Sequence, residues 1–111
     1  MTVKPYVLAE KAYLTDLRRH FHAHPEVSLQ EYETCKKIEG ELDSMGIPHK
    51  RIGETGVYGW IDGKKAGDGV TVALRADIDA LAMEDLKEVP YHSQNAGVCH
   101  ACGHDAHTAT L

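Results

Sequence analysis

Val70-Thr71-Val72-Ala73-Leu74-Arg75-Ala76-Asp77-Ile78-Asp79-Ala80-Leu81 runs from an almost unbroken apolar stretch into a pair of aspartates. A short apolar run with β-branched residues reads as a strand buried on both faces. Asp77 and Asp79 then fall just past its end, where α/β proteins place their sites. Upstream, Val57, Tyr58, Trp60 and Ile61 form a second β-prone group, closed by the turn signal Asp62-Gly63. The stretch Lys64 to Gly69 is polar and glycine-containing. It suits a loop joining the two groups as a hairpin.

Toward the N-terminus the period changes. Residues 8–23 read as a helix, with Leu14, Leu17 and Phe21 on one stripe. Pro25 ends it, because the residue before a proline is pushed out of the helical region. Ser28-Leu29-Gln30-Glu31 has the form of a capping box. Leu29, Tyr32, Cys35, Ile38, Leu42 and Met45 follow at helical spacing. Gly46 takes the place of an αL C-cap, and Pro48 prevents continuation. Residues 75–103 are mostly loop, with a turn near Val89-Pro90-Tyr91. Residues 106–111 read as a helix that has only begun, too short to stand alone. The chain is therefore expected to be a fragment that stops inside an element. Two helices, a hairpin and a buried strand predict an α/β fold, a mixed sheet flanked by helices, in one domain over residues 1–111.

Composition narrows the function. Of 111 residues, 42% are hydrophobic and 26% charged, which is globular and not disordered. A net charge of −5 and no basic run argue against nucleic-acid binding. Charges scattered through the first thirty residues leave no apolar core for a signal peptide, and nothing is long enough to span a bilayer. A cytoplasmic, non-membrane protein is the expectation. The 3 cysteines follow no disulfide framework.

The 8 histidines are concentrated in two groups, His20, His22 and His24, then His92, His100, His104 and His107. The densest constellation is Cys99-His100-Ala101-Cys102-Gly103-His104-Asp105-Ala106-His107. Thiolate and imidazole together suit a borderline-soft cation such as zinc. Gly103 allows a tight turn, so that Cys102 and His104 can face one ion. Asp105 can orient a ligating imidazole. Three other readings of this stretch stand beside a catalytic metal site. Cys99-x-x-Cys102 could be half of a structural zinc knuckle, it could be a redox pair, or the histidines could decorate a polar loop. In Arg18-Arg19-His20-Phe21-His22-Ala23-His24-Pro25-Glu26, only His20 and His24 share a helix face and could hold one ion. Capping or supporting a loop is the commoner use of such residues.

With these segments quoted, the chain resembles the aminoacylase and carboxypeptidase family of two-metal peptidases. It is most similar to the amidohydrolase branch, which includes hippurate hydrolases and N-acyl amino acid amidohydrolases. Three motifs carry the resemblance, residues 18–26, residues 74–81 and residues 100–107, with Thr55-Gly56-Val57 and Pro90-Tyr91-His92-Ser93 between them. Two positions depart from the pattern. Cys99 stands where the family usually has methionine, and Ala82 where it usually has proline.

The resemblance implies a zinc-peptidase-like catalytic domain that hydrolyses the amide of an N-acyl amino acid, with two Zn2+ or Mn2+ ions in the complete site. It implies Cys102 and His104 as metal ligands, Asp77 as an acidic residue orienting the site, and Asp105 and His107 as supports behind the ligands. The family's general base lies in a Glu-Glu pair further on, followed by two histidine ligands, and a smaller domain serves for dimerisation and closure. None of these is found in the 111 residues. The resemblance therefore implies a chain inactive by itself, with homo-oligomerisation an open possibility. A small zinc-binding or interaction module built on Cys99-x-x-Cys102 is the competing expectation.

Overall fold

The structure is a computed structural model that describes residues 2–65, 67 and 69–111. Its elements are α1 (Pro5–Ala9), α2 (Lys11–Ala23), α3 (Tyr32–Ser44), β1 (His49–Ile52), β2 (Gly56–Gly59) and α4 (His104–Thr110). Among the described residues no helix is long and apolar enough to cross a membrane.

The predicted first helix is two. Residues of α1 are all exposed, and the chain re-enters a helix after Glu10, whose carbonyl accepts the Leu14 N–H at 2.9 Å. The stripe on α2 behaves as read: Leu17 and Phe21 are buried one turn apart. They meet Ala109 of α4, with Tyr13 and Ile38 packed against them. Burying Phe21 contributes about 2–3 kcal/mol. His22 sits beside this stripe and is fully buried, so α2 carries one polar group into the interior.

The expected capping box does not form. Leu29 adopts a φ of 66°, which turns the chain before a helix can start, and α3 begins at Tyr32. Its cap comes from Glu26 instead. That carboxylate accepts the N–H of Thr34 at 2.6 Å, the N–H of Glu33 at 3.2 Å and the Thr34 hydroxyl at 2.6 Å. An anion there satisfies orphan donors and complements the helix dipole. The other end follows expectation. Gly46 has a φ of 68°, and the Ile47 N–H reaches back to Leu42 O at 2.9 Å.

The hairpin differs from the one expected. The β-prone residues of β2 pair backwards with β1, antiparallel, with Lys50 opposite Tyr58. Residues 70–74 form no strand, and Val70, Val72 and Leu74 stand 89%, 76% and 75% exposed. A strand is defined by a neighbour that takes its hydrogen bonds, and no described segment lies beside this one. Of the predicted 64–69 loop, Ala66 and Asp68 lie outside the described residues.

What joins the three motifs is a set of isolated bridges. Val27 pairs with Ala80 in parallel and Leu81 with Cys99 antiparallel. The Ala80 N–H donates to Glu26 O at 2.8 Å, and Leu81 and Cys99 exchange two bonds at 2.9 Å. The fold is thus α/β with parallel and antiparallel pairing between helices. These bridges bring the ends of motifs distant in sequence side by side.

Candidate metal centre

The loop after Cys99 turns into α4 at Gly103, whose φ of 105° is open to glycine and strained for other residues. Cys102 is exposed on the outer side of this turn. His104 begins the helix. Its Nδ1 lies 2.9 Å from Asp79 Oδ1 and 3.0 Å from Asp79 O. With Nδ1–H donated to these acceptors, Nε2 is left with its lone pair free, as a metal ligand requires. The His107 ring lies 6.0 Å from that of His104, and a Cβ added at Gly103 would come within 3.9 Å of its Nε2.

Asp79, not Asp77, therefore supports the imidazole. The Asp77 carboxylate pairs with neighbouring Arg75 in an exposed position. Its backbone carbonyl is what touches the site: the Thr108 hydroxyl stands 3.1 Å from Asp77 O and 2.8 Å from His104 O. The spacing of the two aspartates could not reveal which of them meets the imidazole. It depends on where the bridge at Ala80 anchors the chain.

Asp105 is fully buried and organises the interior behind the loop. Its Oδ2 lies 2.8 Å from His22 Nδ1 and 2.9 Å from Arg18 Nε, while Oδ1 accepts the Ala106 N–H at 2.8 Å. On its other edge, His22 Nε2 lies 3.1 Å from Asp85 Oδ2. The Asp85 side chain is 2% exposed. The backbone N–H of Ser93, reinforced by that of Lys87 and by His22, holds its carboxyl well below the usual range, against the opposing effect of burial. Tyr91 closes the network, edge-on to His22 and under the guanidinium of Arg19. Sequence reading missed Asp85 and the central place of His22. The signal available was only that His22 falls on the apolar side of α2.

His20 and His24 do share a face, stacked 4.6 Å apart, and His24 Nδ1 donates to His20 O at 2.8 Å. The pair ends the helix and does not gather further ligands. His100 is buried, and neither ring nitrogen has a hydrogen-bond partner among the described residues. Burial holds its pKa below the ordinary value, outweighing nearby Asp105, so the ring stays neutral and able to accept. Cys99 and Cys102 face different environments, one buried and one exposed.

The geometry can be set against known proteins. Residues 73–111 match the model for Peptidase family M20/M25/M40. The chain is 50% identical over 99 residues to a Bacillus subtilis protein named "Putative amidohydrolase YhaA", a match covering 88% of this chain and 24% of that one. It is 48% identical over 102 residues to the uncharacterized hydrolase SAB1253 of Staphylococcus aureus, covering 92% and 26%. Among solved structures, Bacillus subtilis YXEP, described as a dinuclear metal binding peptidase from the M20 family, superposes with a TM-score of 0.87 at 42% identity. That match covers 94% of this chain and 29% of YXEP. The resemblance drawn from the motifs is thus borne out: this stretch of chain is similar in sequence and in fold to M20-family peptidases. It spans about a quarter of the length of the curated relatives it matches.

Proposed function

We propose that residues 1–111 are the N-terminal portion of the catalytic domain of a metal-dependent amidohydrolase acting on N-acyl amino acids, hippurate-like in form. The observation that carries this reading is the pairing of His104 with Asp79. It leaves one ring nitrogen free on a residue two positions from the exposed Cys102, across the turn at Gly103. A thiol and an imidazole are a donor set that fits zinc, and the imidazole also accepts manganese. A divalent ion held by Cys102 and His104 would supply Lewis acidity for the substrate carbonyl and lower the pKa of an attacking water.

The chain's own residues prepare that chemistry. Asp79 orients His104. Asp105, locked by Arg18 and His22, fixes the first turn of α4 and so the position of the ligand loop. Asp77 stands at the same rim, where a carboxylate can orient the site once its bond to Arg75 is exchanged. By the family resemblance, the general base belongs to a further glutamate outside these residues. The isolated chain, with two ligands and no base, is expected to give no turnover. The acyl-amino-acid substrate is supported by the motif resemblance, and the amide class also by the name of one relative. A module built on Cys99-x-x-Cys102 has less support, because the two side chains occupy different environments.

A chimera tests the reading. This chain would replace the matching segment of YXEP, and hydrolysis of benzoylglycine and N-acetyl amino acids would be followed. Activity that falls at least about 100-fold in Cys102→Ser and His104→Ala, and about 10–100-fold in Asp79→Asn, is the expected result. Unchanged rates in Cys102→Ser would remove the ligand assignment. A chimera that cleaves peptides but no N-acyl amino acid would remove the substrate.

A further inference from the structure

We propose that His22, Asp85 and Cys99 form a second, buried divalent-cation site, structural in role and best matched to zinc, separate from the Cys102–His104 centre. Among the described residues these three are the one group whose ligand atoms all lie within 4.8 Å of one another. Each comes from a different part of the chain: α2, the loop after Leu81, and the bridge to the α4 loop. A bound ion would therefore staple three segments that otherwise meet only through isolated hydrogen bonds.

The surroundings are already those of a metal site. His22 Nδ1 is engaged by Asp105 Oδ2 at 2.8 Å, and Arg18 Nε holds the same oxygen at 2.9 Å. A carboxylate behind a histidine is the usual device for aiming the other ring nitrogen at a metal. That nitrogen, Nε2, faces Asp85 Oδ2 at 3.1 Å. Asp85 is fixed independently by the N–H groups of Ser93 at 2.9 Å and Lys87 at 3.2 Å. Cys99 is 3% exposed, with its backbone clamped to Leu81 on both sides. One thiolate, one imidazole and one carboxylate are a donor set for zinc.

A divalent ion at this position would be held by the Cys99 sulfur, His22 Nε2 and an Asp85 carboxylate oxygen, with protons released to solvent as it binds.

Cobalt(II) is the probe, added to the reduced, whole chain carrying Cys102→Ser so that the other candidate centre is removed. We expect one equivalent to bind, with a thiolate-to-cobalt charge-transfer band, and the band to vanish on adding Cys99→Ala. Asp85→Asn, which keeps the shape of the side chain, is expected to weaken binding at least about 10-fold, within the range for lost metal contacts. Circular dichroism of each variant reports folding. Absence of the band in Cys102→Ser, its persistence in the Cys99→Ala double variant, or undiminished affinity in Asp85→Asn would each overturn the proposal. The hydrolysis reading is untouched by any of these results, since its Cys102 ligand is absent from the background used.

Discussion

Two regions of this molecule exchange the places that hydropathy would assign them. Residues 70–74 are apolar almost throughout yet lie exposed. The segment around His22, Asp85 and Asp105 is ionic yet has side chains between 0% and 2% exposed. Burial is decided by partners. An apolar segment with no pairing partner keeps its backbone in water, because leaving N–H and C=O groups unpaired inside costs more than hydrocarbon burial returns. A charged cluster enters the interior once every charge meets an opposite one with hydrogen-bond geometry.

The comparison breaks most sharply at Asp105. Asp105→Ala leaves Arg18 and His22 facing each other with no carboxylate between them. A loss of about 3–5 kcal/mol is expected, read from urea denaturation, and a loss below about 1 kcal/mol would mean that the network does not support the fold. Phe21→Ala removes the ring between α2 and α4, with an expected cost of about 3–5 kcal/mol, so the ionic and the apolar anchors of α2 should prove comparable. Glu26→Gln keeps the shape of the α3 cap but removes its charge. A cost of about 1 kcal/mol is expected, read as a lower midpoint for the whole chain.

Acidity sharpens the same contrast. The Asp85 carboxyl is depressed in the folded chain, so its contribution is present above the unfolded carboxylate pKa, about 3.9. It is lost as pH falls from there through the lower folded value. Stability should decline more steeply below about pH 4 in the native chain than in Asp85→Asn, and parallel profiles would refute the assignment. The smallest effect belongs to the other region. Val72→Thr should change stability by no more than about 0.5 kcal/mol, as at an exposed site. A larger loss would show that the run is covered in solution.

The sequence made much of the scaffold legible. The α2 stripe, the stop at Pro25, the αL position at Gly46 and the start of a last helix all rest on local rules that tertiary contacts did not overrule. The capping box failed because Leu29 turned left-handed, and Glu26, five residues before the expected glutamate, took over the cap. The hairpin failed because the β-prone residues of β2 found a partner before them in β1, whose sequence His49-Lys50-Arg51-Ile52 shows little strand character. At the site, residue types were readable and partners were not. The Cys102–His104 turn follows from Gly103, but whether Asp77 or Asp79 meets the imidazole depends on a bridge to Val27, far away in sequence.

By itself, then, the sequence determined the buried stripe of α2, the ends of α2 and α3, and the family these motifs resemble, because those follow from side-chain chemistry and from spacings within one turn. Only the tertiary structure decided that His22 lies between Asp85 and Asp105, that Cys99 turns inward while Cys102 turns outward, and that Asp79 holds His104. Each of those contacts joins residues tens of positions apart, and no local propensity encodes the closing of so long a loop.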